Sequence, residues 1–244
     1  MEPVVSELYR AFKQYRLGND FVGCEDCVSS ADSDHLRSKG LRELTVSDIN
    51  RYAFKAMTTW GEVHHFKYFL PRLLELSLEE LYELNYPEVL FGKLEYAQWK
   101  TWPEIEQNAV QEFLLLFSEW HLWGANTASR EDDMTTPLGC LAATGLSLNP
   151  FLFRWISIDS KDAADRLSHF IDQNGDLLLS KGRLDILWGD PERASHELIQ
   201  WLASEAVRKY LLRYKDQILA DSPFVFSQLD ALQSTFGPSL EDKS

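Results

Sequence analysis

Between Pro103 and Trp123 the chain reads PEIEQNAVQEFLLLFSEWHLW, and this stretch decides the fold class. Ala109, Val110, Phe113, Leu114, Phe117, Trp120 and His121 recur at spacings of three and four, the period of one helix face. Pro103 suits a first helical turn, where its missing N–H costs nothing, and Glu104 favours the positive helix end. The stretch is expected to form the longest helix of the chain. The same start recurs at Tyr86-Pro87-Glu88 and Asp190-Pro191-Glu192.

Working outward, Pro3 opens a helix carrying Val5, Leu8, Tyr9, Phe12 and Tyr15, which Gly18 ends. Residues 19–44 read as irregular, with a short helix near His35–Ser38. Thr45-Val46-Ser47-Asp48 resembles a capping box and opens a helix with Ile49, Tyr52, Ala53 and Ala56 on one face. Val63 to Leu76 is expected to kink or break at Pro71, and Ser77-Leu78-Glu79-Glu80 to cap a separate short helix. Later helices are expected near 137–145, 150–157, 161–173, 191–219 and 223–235, with turns at Gly175-Asp176 and Gly189-Asp190. Strand-like runs are limited to Leu177–Leu179 and Phe224–Phe226, too short to carry a sheet. The expectation is an all-α protein: an irregular bundle or short superhelical array of about ten helices. It is read as one domain over 1–244, with a possible division at the polar 124–137 linker into 1–123 and 138–244.

Charge narrows the partners. Lys and Arg number 24 against 38 Asp and Glu, a net charge of −14. Such a surface repels nucleic acid and anionic membranes and attracts a basic protein. The three cysteines are too few for a secreted disulfide framework. The start Met1-Glu2-Pro3-Val4-Val5 lacks signal-peptide features, and no apolar run approaches a membrane span. A cytoplasmic location is expected.

Motifs for chemistry are sparse. Cys24-Glu25-Asp26-Cys27 offers two thiols at metal-binding spacing, with His35 eight residues on; a structural zinc site needs four ligands, and there is no second such pair. Redox use is disfavoured by the two carboxylates between the thiols and by the absence of a βαβ setting. His64 and His65 are neighbours on a helix, about 100° apart, and so are not expected to hold one ion together. His196-Glu197-Leu198-Ile199-Gln200 misses the second histidine of a zinc-protease motif, and Gly145-Leu146-Ser147-Leu148-Asn149 lacks the last glycine of a nucleophile elbow.

The stretch from Tyr52 to Gly61, running into His65–Leu76, resembles a family of uncharacterised bacterial cytosolic helical proteins. The upstream Cys24/Cys27 pair and the Gly92-Lys93-Leu94 and Trp102-Pro103 turns fit the same pattern. The resemblance covers the first half of the chain and implies a helical fold and a bacterial origin. It carries no catalytic residue over.

These readings favour a binding protein without chemistry of its own, occluding a basic partner in the manner of an immunity protein or inhibitor of a toxin enzyme. Glu131, Asp132 and Asp133 in the linker are the partner-facing charges, and Trp99 and Trp102 the aromatic anchors. No cofactor is expected. The alternatives are a zinc-stabilised scaffold or regulator tied by Cys24, Cys27 and His35, and a helical enzyme without a recognisable motif.

Overall fold

The computed structural model describes residues 1–123, 134–184 and 190–237. Among them are thirteen α-helices and no strand; the only β-type pairings are isolated bridges of Trp60 with Gly23 and Ala56. The chain parts into two compact units, Met1–Phe117 and Ser118–Ser244. No helix among the described residues is long and apolar enough to cross a membrane.

The N-terminal unit holds α1 (Glu2–Ala11), α2 (Ser30–Arg37), α3 (Val46–Lys55), α4 (Val63–Glu79), α5 (Pro87–Tyr96) and most of α6 (Glu104–Ser118). The Thr45 capping box forms: the Asp48 N–H reaches Thr45 Oγ1, and Asp48 Oδ2 accepts from the Thr45 N–H. A second box, Ser29 with Asp32, opens α2 inside the segment expected to be irregular. Helix α1 ends at Ala11, earlier than expected, in a turn through Phe12.

Helix α4 corrects two expectations. It runs unbroken through Pro71 for 17 residues, and Ser77 lies buried within it, its hydroxyl donating to the Leu74 carbonyl at 2.7 Å. An interior proline costs about 3 kcal/mol. Burial of a Leu or Phe side chain returns roughly 1.5–3 kcal/mol each, and Phe66, Phe69, Leu70, Leu73 and Leu74 are all fully buried. Packing wins over the local signal. The core next to α4 is aromatic: Phe21 stacks on Trp60 at 5.7 Å and meets Tyr52 and Phe69 at 5.6 and 5.4 Å.

The C-terminal unit continues from α6 as one π-helical turn, Glu119–Trp123. It then holds α7 (Thr135–Ala143), α8 (Asn149–Ser157), α9 (Lys161–Lys181), α10 (Pro191–Leu202), α11 (Glu205–Leu212), α12 (Lys215–Asp221) and α13 (Val225–Phe236). Among the described residues the longest α-helix is α9, with 21, while the 103–123 stretch is α-helical over Glu104–Ser118 before its π-helical turn. Gly175 is no turn but an interior, buried position of α9. A Cβ there would stand 2.6 Å from Gln228 Cδ on α13, so the glycine permits close helix approach. The helix ends instead at Gly182, whose φ of 63° supplies the left-handed cap. Trp123, Trp155 and Trp201 form a ladder in this core at 6.2 and 5.9 Å.

Candidate functional site

The loop before α2 carries most of the chemistry-bearing residues. Phe21 and Val28 are buried and pin its two ends. Between them the Cys27 and Val28 N–H groups donate to the Cys24 carbonyl, both at 2.9 Å, and the Cys24 N–H donates to the Thr59 carbonyl at 2.8 Å. Cys24 is exposed and Cys27 half-buried. His35 is not with them: its Nε2 lies 2.6 Å from Asp48 Oδ1, which also accepts from Lys39 Nζ at 2.7 Å. The Lys39 hydrogen bond, and then the capping N–H of Thr45, hold the Asp48 carboxyl well below the usual range. Cys24, Cys27 and His35 therefore do not converge on one ion.

Among the described residues, the set whose ligand atoms do converge is Asp20, His64 and His65, all within 4.8 Å of one another. This corrects the expectation that the two histidines point apart: their rings lie 3.8 Å from centroid to centroid. His65 folds back over the helix end, where its Nδ1 accepts the Glu62 N–H at 3.0 Å. Asp20 Oδ2 then stands 3.0 Å from His64 Nε2 and 3.5 Å from His65 Nε2. The capping bond decides what this cluster can do. A ring nitrogen that accepts a hydrogen bond leaves the proton on the other nitrogen of a neutral imidazole. His65 Nε2 thus carries hydrogen, faces the Asp20 carboxylate, and has no lone pair for a metal. Burial, reinforced by His64, lowers the His65 pKa and keeps the ring neutral. The hydrogen bond from His64 lowers that of Asp20. The arrangement clasps the 18–28 loop to the first turn of α4.

Two motif fragments meet in the C-terminal unit. Glu197 Oε2 accepts the Leu148 N–H at 2.6 Å and the Ser147 hydroxyl at 3.1 Å. The glutamate of the incomplete zinc-protease motif therefore caps the start of α8, beside the incomplete elbow. Its role is structural.

The two tryptophans expected as anchors are buried. Trp99 is fully buried and Trp102 is 6% exposed, with its Nε1 donating to the Ala97 carbonyl at 2.9 Å. Both belong to the core because the turn folds inward beneath α5. Glu131, Asp132 and Asp133 lie outside the described residues, as do the rest of the linker at 124–133 and Gly189.

The exposed aromatic pair is Phe54 on α3 and Tyr86 before α5, 48% and 59% exposed, with ring centroids 5.9 Å apart. With Asn50, Arg51 and Asn85 they line a shallow groove of about 350 Å³. Its wall is fixed by paired amide bonds: Asn50 Nδ2 donates to the Glu83 carbonyl at 3.1 Å, and Asn50 Oδ1 accepts the Asn85 N–H at 2.8 Å. Tyr86 holds a left-handed backbone, φ 56°, which costs a non-glycine residue about 1–3 kcal/mol and is retained where surroundings or function demand it. Arg51 is neutralised by Asp32 at 2.8 Å. Glu79, Glu80 and Glu83, just upstream of Tyr86, are exposed and hold no ion pair among the described residues.

No protein-family model, no curated protein and no solved structure matches the chain.

Proposed function

We propose that this protein binds a basic protein partner and masks it, as an immunity protein or inhibitor of a toxin enzyme would, docking it on the Phe54/Tyr86 groove. The exposed, mutually packed ring pair carries the reading. Aromatic side chains supply large contact area at low entropic cost and dominate interface hot spots. The fixed amide wall supports it, since a pre-ordered surface loses less on binding. The partner's basic character follows from the net charge of −14 and from exposed carboxylates such as Glu83, whose backbone carbonyl accepts from Asn50 of the groove wall. That charge is shared evenly: residues 1–117 and 118–244 each carry 12 Lys/Arg and 19 Asp/Glu. Local carboxylates, rather than one acidic half, would therefore steer the encounter.

Affinity purification of the tagged chain from its native host, read by mass spectrometry, tests this. One basic protein should be recovered in near-equal amount, and lost with the triple variant Glu79→Lys/Glu80→Lys/Glu83→Lys. Recovery of no stoichiometric basic protein, or capture indifferent to the charge reversal, would refute it.

A further inference from the structure

We infer that Cys24 and Cys27 form a reversible dithiol–disulfide pair, a modification site for small disulfide oxidants. Oxidation of the pair is read out without any partner and so is independent of docking on the Phe54/Tyr86 groove. The Cys27 N–H to Cys24 carbonyl bond of 2.9 Å closes a four-residue turn. Such a turn holds its end Cα atoms within about 7 Å, and disulfides bridge Cα separations up to about 6.8 Å. The turn is held from both sides. The Cys24 N–H is fixed on the Thr59 carbonyl, and Arg51 Nη2 donates to the Cys27 carbonyl at 2.9 Å. Gly23 closes its base, since a Cβ there would meet Val28 Cβ at 2.5 Å. Both thiols are free, and their exposure differs in the sense that sequential exchange requires: Cys24 is exposed and Cys27 half-buried. Neither joins a three-ligand group among the described residues, and His35 is engaged by Asp48.

The chemistry balances with oxidised glutathione as oxidant. The Cys24 thiolate attacks one glutathione sulfur, forming a mixed disulfide and releasing one reduced glutathione. The Cys27 thiolate then attacks the Cys24 sulfur and releases the second. Two protein thiols are oxidised, one glutathione disulfide is reduced, and the two thiol protons end on the released glutathiones. The pair acts as a clasp for the turn rather than as an oxidoreductase.

The test is treatment of the folded full chain with oxidised glutathione at about pH 8, near the ordinary thiol pKa. Acid quenching, alkylation, intact mass and peptide mapping follow. The expected product has lost two hydrogens through a Cys24–Cys27 link, keeps no glutathione, leaves buried Cys140 unmodified and is reversed by dithiothreitol. The Cys27→Ser variant, with an unchanged melting temperature, should stall with one glutathione on Cys24. A lasting adduct on the native chain would overturn the proposal. So would failure of the folded chain to react while the unfolded chain does. So would purification with one equivalent of zinc that shields both thiols from alkylation.

Discussion

Lys67 in the N-terminal unit and Arg166 in the C-terminal unit are both buried cations, 7% and 8% exposed, and each is held by hydrogen bonds. Lys67 Nζ meets Glu106 Oε2 at 2.7 Å, while Tyr15 and Gln14 donate to the other carboxylate oxygen at 2.7 and 2.8 Å. The ammonium also sits 4.1 Å from the Trp102 ring. Arg166 instead donates to the carbonyls of Leu122 and His121, at 2.9 and 2.7 Å, in the π-helical turn that follows α6. In the N-terminal unit a carboxylate meets the buried charge; in the C-terminal unit the negative end of a helical segment contributes to holding it. A buried ion pair is costly to break on one side only, because the survivor is left charged in a dry site.

Lys67→Met should therefore be the largest perturbation, about 3–5 kcal/mol by urea denaturation. Lys67→Met/Glu106→Leu should recover most of that loss, since both charges leave together. A single variant costing under about 1 kcal/mol would show that the pair is solvated. Arg166→Met should cost about 1.5–3 kcal/mol through loss of its charge-assisted hydrogen bonds to the Leu122 and His121 carbonyls. Gly175→Ala should cost about 1–3 kcal/mol by overpacking α9 against α13, and a Gln228→Ala partner change should relieve it. If the two changes simply add, the close approach at Gly175 is not what fixes the glycine.

The smallest effect concerns His65. Its folded pKa is lowered by burial, so the unfolded chain, with a pKa of about 6.5, takes the proton first. The stability it contributes is complete above that pH and is lost as pH falls below it. The mechanism is visible: a protonated Nδ1 cannot accept the Glu62 N–H. Melting temperature followed between neutral and mildly acidic pH should fall more steeply for the native chain than for His65→Asn, whose amide oxygen accepts without titrating. Equal slopes would remove His65 from the account.

Where the signal was local, the sequence could be read. The Thr45–Asp48 box and the Pro87 start form because capping atoms and backbone are within three residues of one another. Pro71, Ser77 and Gly175 were misread because their outcome depends on packing: burial along α4 overrides a helix breaker, and Gln228 on another helix explains a glycine. The exposed ring pair was only partly legible. Phe54 stands off the face shared by Ile49, Tyr52, Ala53 and Ala56, which is the sequence mark of an exposed aromatic. That Tyr86 sits beside it was not legible, because the contact spans 32 residues between α3 and the start of α5. The convergence of His64 and His65 was hidden too, since a helix wheel does not foresee a side chain folding back to cap its own N-terminus.

The measurement that bears most directly on the proposed function is partner capture by two doubly substituted chains compared with the native one. Phe54→Ser/Tyr86→Ser removes the groove's rings. Phe153→Ser/Phe224→Ser removes two other exposed aromatics, 56% and 64% exposed, from the C-terminal unit. With both variants folded, the first should lose the basic partner and the second should keep it. Retention by the first, or loss by the second alone, would contradict docking on the groove.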